Sequence, residues 1–147
     1  MTRLLALLAA LALTAPADAA PCPVTPLQNH GADLVFGAFK AHMVSDSDPG
    51  NSAAWEGPLI ISAGGKSCEA DISIITPPFF LAGAHDLYVT TYSGSESTQY
   101  LVDARNCHVL WASPLFTGNP ALRGGDVFIY PDAKPVRIQP DCRPADP

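Results

Sequence analysis

The residues able to do chemistry in this chain are few and scattered. Four cysteines (Cys22, Cys68, Cys107, Cys142) and four histidines (His30, His42, His85, His108) are spread over 147 positions. No C-x-x-C, H-x-x-x-H or H-E-x-x-H spacing occurs, and those are the spacings that bring two metal ligands together locally. The expectation is no metal site and no cofactor. Gly-x-Ser-x-Gly is absent too, so the chain lacks the local signature of an activated serine. Asp46-Ser47-Asp48-Pro49-Gly50-Asn51 alternates carboxylates as a calcium loop does, but it lacks the D-x-[DN]-x-[DN]-G order and the later bidentate glutamate. We read it as a solvated Pro-Gly turn. Glu56, Glu69 and Asp71 become a carboxylate pair only if the fold happens to join them. The sequence therefore predicts no catalytic residue.

One polar stretch stands out, Tyr92-Ser93-Gly94-Ser95-Glu96-Ser97-Thr98-Gln99-Tyr100. Tyrosine, serine and glycine are the materials of a binding surface: rigid amphipathic rings beside adaptable hydrogen-bonding groups. Tyr92, Ser93, Gly94, Ser95 and Tyr100 are the candidate contact residues. The elements that must present them are two strands. Leu87–Tyr92 is rich in β-branched and aromatic side chains, which suit a pleated surface. Tyr100–Val102 supplies the returning strand, across a loop longer than the two-residue optimum. Asp103–Asn106 has turn chemistry, and His108–Ala112 opens a further strand.

The rest of the chain sets the compartment. Met1–Ala19 has a positive Arg3, an apolar run Leu4–Leu13 and an A-x-A site at Ala17-Asp18-Ala19, the layout of a secretory signal. The mature chain is then a single domain, residues 20–147, exported to the periplasm or secreted. Nothing after the signal is long and apolar enough to span a bilayer. An even number of cysteines in an exported chain implies two disulfides. Four cysteines allow three pairings; of these the reading prefers Cys22–Cys68 with Cys107–Cys142. Removing the leader takes away Arg3 and Asp18, so the net charge stays at −6. That acidic balance argues against nucleic acid and anionic membranes as partners, and it suits a basic protein.

No helix is predicted. Fifteen prolines and eleven glycines, spread throughout, fit an all-β domain with many turns. The expected layout begins with an extended leader over Pro21–Gly31. Strands follow over Asp33–Val44 and Pro58–Ser62, and a third over Ile72–Thr76 is stopped by Pro77-Pro78. Phe79–His85 connects to the central hairpin. Beyond it come a loop over Thr117–Gly125, strands over Asp126–Tyr130 and Val136–Gln139, and a frayed tail from Pro140. Asp33-Leu34-Val35-Phe36, Asp86-Leu87-Tyr88-Val89 and Asp126-Val127-Phe128-Ile129 each open a hairpin that ends at a cysteine, a weak internal repeat. Three units are too few for a closed propeller. The fold class is all-β, antiparallel hairpins in a sandwich-like or propeller-like arrangement.

The strand Asp86-Leu87-Tyr88-Val89-Thr90-Thr91, followed by Ser93-Gly94 and then Tyr100, resembles the loop region of bacterial periplasmic lysozyme inhibitors, the class acting on invertebrate-type lysozyme. The likeness is confined to residues 86–100. It implies a small exported β-rich protein that inserts this loop into an enzyme's active-site cleft, with Ser93, Gly94, Ser95 and Tyr100 in contact. The leading expectation is a non-catalytic binding or inhibitor protein with a lysozyme as partner. A structural cell-envelope domain and a hydrolase with a site assembled from distant residues are the alternatives.

Overall fold

The computed structural model describes residues 20–44 and 54–145. The signal-like segment and the Asp46–Asn51 turn lie outside these residues. Twelve strands make up the regular structure of the described residues: β1 (Val24–Leu27), β2 (Asp33–Phe36), β3 (Phe39–Val44), β4 (Glu56–Ala63), β5 (Lys66–Ala70), β6 (Ile75–Ala82), β7 (Asp86–Ser93), β8 (Glu96–Asp103), β9 (His108–Ala112), β10 (Ala121–Arg123), β11 (Val127–Ile129) and β12 (Val136–Arg137). They form three antiparallel sheets, ordered β2-β3-β4-β5, β1-β6-β7-β8-β9 and β10-β11-β12. The all-β expectation holds, with the sheets open rather than closed into a ring.

Two cores lie on opposite faces of the five-stranded sheet. Leu87, Val89 and Val102 point to one side and pack with Leu34, Met43, Leu59 and Ile61 of the four-stranded sheet. Tyr88 and Leu101 point to the other and pack with Phe116, Phe128 and Tyr130 of the three-stranded sheet and its flanks. The domain is thus a three-layer β stack. The central sheet is covered on both faces, and every residue of β7 from Asp86 to Thr91 is buried. That explains why Leu87–Tyr92 shows no clean apolar–polar alternation, which belongs to sheets wetted on one side.

Several expectations need correction. The extended leader is itself a strand of the central sheet: Val24–Leu27 pairs antiparallel with β6, Val24 facing Ala82. Pro77-Pro78 does not stop its strand. β6 runs through the pair, and the β6–β7 register jumps between Thr76 and Phe80, so the prolines sit where no ladder donor is needed. Ile72–Ile74, expected as strand, precedes β6 as irregular chain. β10 lies inside the expected loop over Thr117–Gly125.

The tail is not frayed either. Ile138 bridges to Pro144, and Tyr88 Oη donates to the carbonyl of Cys142. The disulfides are Cys22–Cys142 and Cys68–Cys107, the reverse of the preferred pairing. The physical reason is the leader. Because β1 joins the central sheet, Cys22 lies against the core shared with the three-stranded sheet, beside the tail. Cys68 on β5 then faces the β8–β9 turn.

The repeated aspartates occupy equivalent places. Asp33 opens β2 and bonds Lys40 Nζ at 3.0 Å and His42 Nδ1 at 2.7 Å. Asp126 precedes β11 and accepts from Arg137 at 2.9 Å. Asp86 opens β7 beside His85. The His42 and Lys40 hydrogen bonds hold the Asp33 carboxyl below its ordinary range. A depressed carboxyl pKa adds stability above the unfolded-state value and loses it as pH falls through the folded value. Asp33→Asn should therefore lower the Tm at neutral pH, with the difference vanishing below the carboxylate range. Because the pair is exposed, the cost should stay within about 1 kcal/mol. Melting curves between pH 7 and pH 2 check this, and a difference that persists in acid would reject it.

Candidate functional site: the β7–β8 hairpin tip

The hairpin closes more tightly than the sequence suggested. Ser93 faces Glu96, Tyr92 faces Ser97 and Thr91 faces Thr98, leaving Gly94-Ser95 as a two-residue loop. Gly94 has φ 67°, and a glycine with positive φ at the first loop position is the type II′ pattern. The polar run Glu96–Gln99 continues β8 instead of lengthening the loop. Its alternate residues turn inward, so Ser97 is buried rather than part of an uncovered serine-rich tip.

Neighbouring chain segments grip the hairpin from both sides. Ser97 exchanges backbone hydrogen bonds with Phe116 at 2.6 and 3.1 Å, and its hydroxyl donates to Gly118 O at 2.9 Å. The Gln99 N–H donates to Ser113 Oγ, and Tyr130 Oη donates to Gln99 Oε1 at 2.7 Å. On the other side the Tyr92 N–H donates to Ile74 O at 3.1 Å. Ile74 has φ 58°, a left-handed conformation that β-branched residues avoid. Such strain, of order 1–3 kcal/mol, persists where the surroundings enforce it. Here Ile75 is locked to Trp55 by two backbone bonds and Tyr92 holds Ile74 O, which leaves the Ile74 side chain in solvent.

Two open clefts flank the tip. One, of about 500 Å³, is lined by Thr76, Pro77, Gly94, Ser95, Gly118 and Asn119. The other, of about 400 Å³, is lined by Ile74, Thr98, Tyr100, Glu96 and Leu115. Tyr92 lines both. Three of the exposed large apolar side chains gather here: Ile74 at 39%, Tyr92 at 42% and Leu115 at 63% relative exposure.

Of the candidate contact residues, Tyr92, Ser93, Gly94 and Ser95 are exposed at the tip. Tyr100 is not on the loop. It lies in mid-strand opposite Val89, half-buried, as a wall of the second cleft. Ile74, Leu115 and Asn119 escape a reading of the sequence because they sit in connections whose types carry no period, and Pro77 escapes it because a proline pair reads as a strand stop although β6 runs through it. What the tip offers a partner is hydroxyls, an exposed turn and apolar side chains.

A second constellation lies at the base of the same hairpin. Asp86 and Asp103 are directly opposed, and His85 precedes Asp86. Burial pushes the Asp86 carboxyl up from its ordinary range. The Arg105 guanidinium, bonded to both Asp103 oxygens at 2.9 and 2.8 Å, brings that carboxyl down to about 2. Counting outward from Gly94-Ser95 as a two-residue turn would have found this pair.

No protein-family model matches the chain, and no curated protein or solved structure shows significant similarity to it.

Proposed function

We propose that this is an exported, non-catalytic binding protein that docks through the β7–β8 tip, and that its target is a lysozyme-like enzyme blocked sterically. The observation that carries the reading is the exposed Tyr92, set between two clefts on a hairpin gripped from both flanks. A loop held in shape before binding loses little conformational entropy on docking. An aromatic ring beside exposed aliphatic side chains is the usual composition of an interface centre. The net charge of −6 favours encounter with a basic enzyme. Two disulfides are compatible with an oxidising compartment. Among the described residues no helix is long and apolar enough to cross a membrane.

The expected result is inhibition of a lysozyme at near-stoichiometric protein. Tyr92→Ala should weaken it about 30-fold or more, the size of an interface hot spot. Ser93→Ala should weaken it further, with the fold unchanged by circular dichroism. Absence of inhibition for every lysozyme class at micromolar protein would remove the proposal.

A further inference from the structure

We propose that His85, Asp86 and Asp103 form a binding site for one divalent transition-metal ion, zinc first among them, at the end of the hairpin remote from its tip. One ligand atom from each residue lies within 4.8 Å of the other two. Tetrahedral zinc with bonds of about 2 Å holds its ligands about 3.3 Å apart, so a small inward rotation of the side chains closes the set. The second observation is independent of that proximity. Asp86 is only 9% exposed, and its Oδ1 is sealed from solvent with no hydrogen-bond partner among the described residues. That oxygen points to His85 Nε2, but at 3.7 Å it stops short of bonding. A buried carboxylate oxygen left without a donor is costly, and a cation is the partner that removes the cost.

The surroundings fit a metal site. Arg105 fixes the Asp103 carboxylate from behind, as outer partners do for metal-ligating carboxylates. Asp103 Oδ1 accepts from both the backbone N–H and the Nε–H of Arg105, so Oδ2, which accepts from Nη2, is the oxygen that keeps a lone pair for the ion. The Ala104 N–H donates to His85 O at 2.9 Å, tying the β6–β7 turn to the end of β8. The Cys107 N–H donates to Asp103 O at 2.8 Å, and Cys107 is itself anchored by its disulfide. One imidazole with two carboxylates suits a borderline ion such as Zn²⁺ or Co²⁺. Calcium wants six to eight oxygens and finds too few here.

The test uses the mature chain, stripped with chelator and titrated calorimetrically with Zn²⁺, and with Co²⁺ followed by its visible absorption. Expected are one equivalent of saturable binding and a Tm that rises with metal. Asp86→Asn and His85→Ala should each weaken binding at least tenfold, while His42→Ala, at the separate Asp33 pair, leaves it unchanged. Asn at position 86 removes the buried charge, so the metal-free Asp86→Asn protein should be at least as stable as the parent. If that variant fails to fold, His85→Ala still decides, because His85 is partly exposed. No saturable binding up to millimolar metal, or binding that survives both substitutions, overturns the site.

Discussion

Cys22→Ser with Cys142→Ser is expected to lower the unfolding free energy by about 5 kcal/mol, against about 4 kcal/mol for the Cys68–Cys107 pair. The difference follows from the sequence separations, 120 residues for one bridge and 39 for the other. A cross-link that closes a longer loop takes more freedom from the unfolded chain. Native contacts push the same way. Cys22 is what tethers the C-terminal segment beside β1, and the Cys142 carbonyl accepts the hydrogen bond of buried Tyr88. Letting the tail drift leaves that hydroxyl to find a new partner inside the core. Urea unfolding of the two double variants checks the order. If opening Cys68–Cys107 proved the more damaging, loop entropy would not be what these bridges chiefly supply.

The other large effect is expected at Phe128. Its side chain is completely buried, with ring centroids 4.7 Å from Tyr88 and 5.3 Å from Phe80, both edge-on. Phe128→Ala should cost about 3–5 kcal/mol through lost burial and the cavity left behind. The loss should be uneven. The three-stranded sheet has strands of only two or three residues, and Phe128 is its deepest contact with the central layer. Amide exchange in residues 121–138 should quicken well before that of β7 and β8. The hairpin tip would feel this too, because Phe116, which grips Ser97, packs on Tyr130 of the same layer. A cost under about 1 kcal/mol would mean the layer packs without that ring, contrary to the transfer-plus-cavity expectation.

The fold class was legible because the prolines, glycines and β-branched runs all point to strands and turns. The central hairpin was legible for the same reason. Its register was not. Ser97 and Gln99 read as loop by composition, yet they alternate inward along β8, where Phe116 and Gly118 bond Ser97 and Tyr130 Oη donates to Gln99 Oε1. Polar residues at period two are strand-compatible once another layer supplies partners, and that layer is distant in sequence. Pro77 and Pro78 misled in the opposite sense, because a bulge excuses the missing donors. The preferred Cys22–Cys68 pairing fails because residues 24–27, which read as a leader, add the strand β1 to the central sheet. Val24-Thr25-Pro26-Leu27 is short and contains proline, which an edge strand tolerates. Ile74 and Leu115, which frame the tip, carry no local signal. Asp86 is legible as a repeat marker, and its meeting with Asp103 follows only from a tight turn eight positions away.

The pairing of the cysteines is nested: the first with the last, the two middle ones with each other. A ribosome makes Cys22 long before Cys142 exists, and Cys68 is the earliest thiol it could capture. Oxidation in order of synthesis would therefore trap a wrong isomer. The native pairing is reached directly if the chain stays reduced until it is complete, and otherwise through thiol–disulfide exchange.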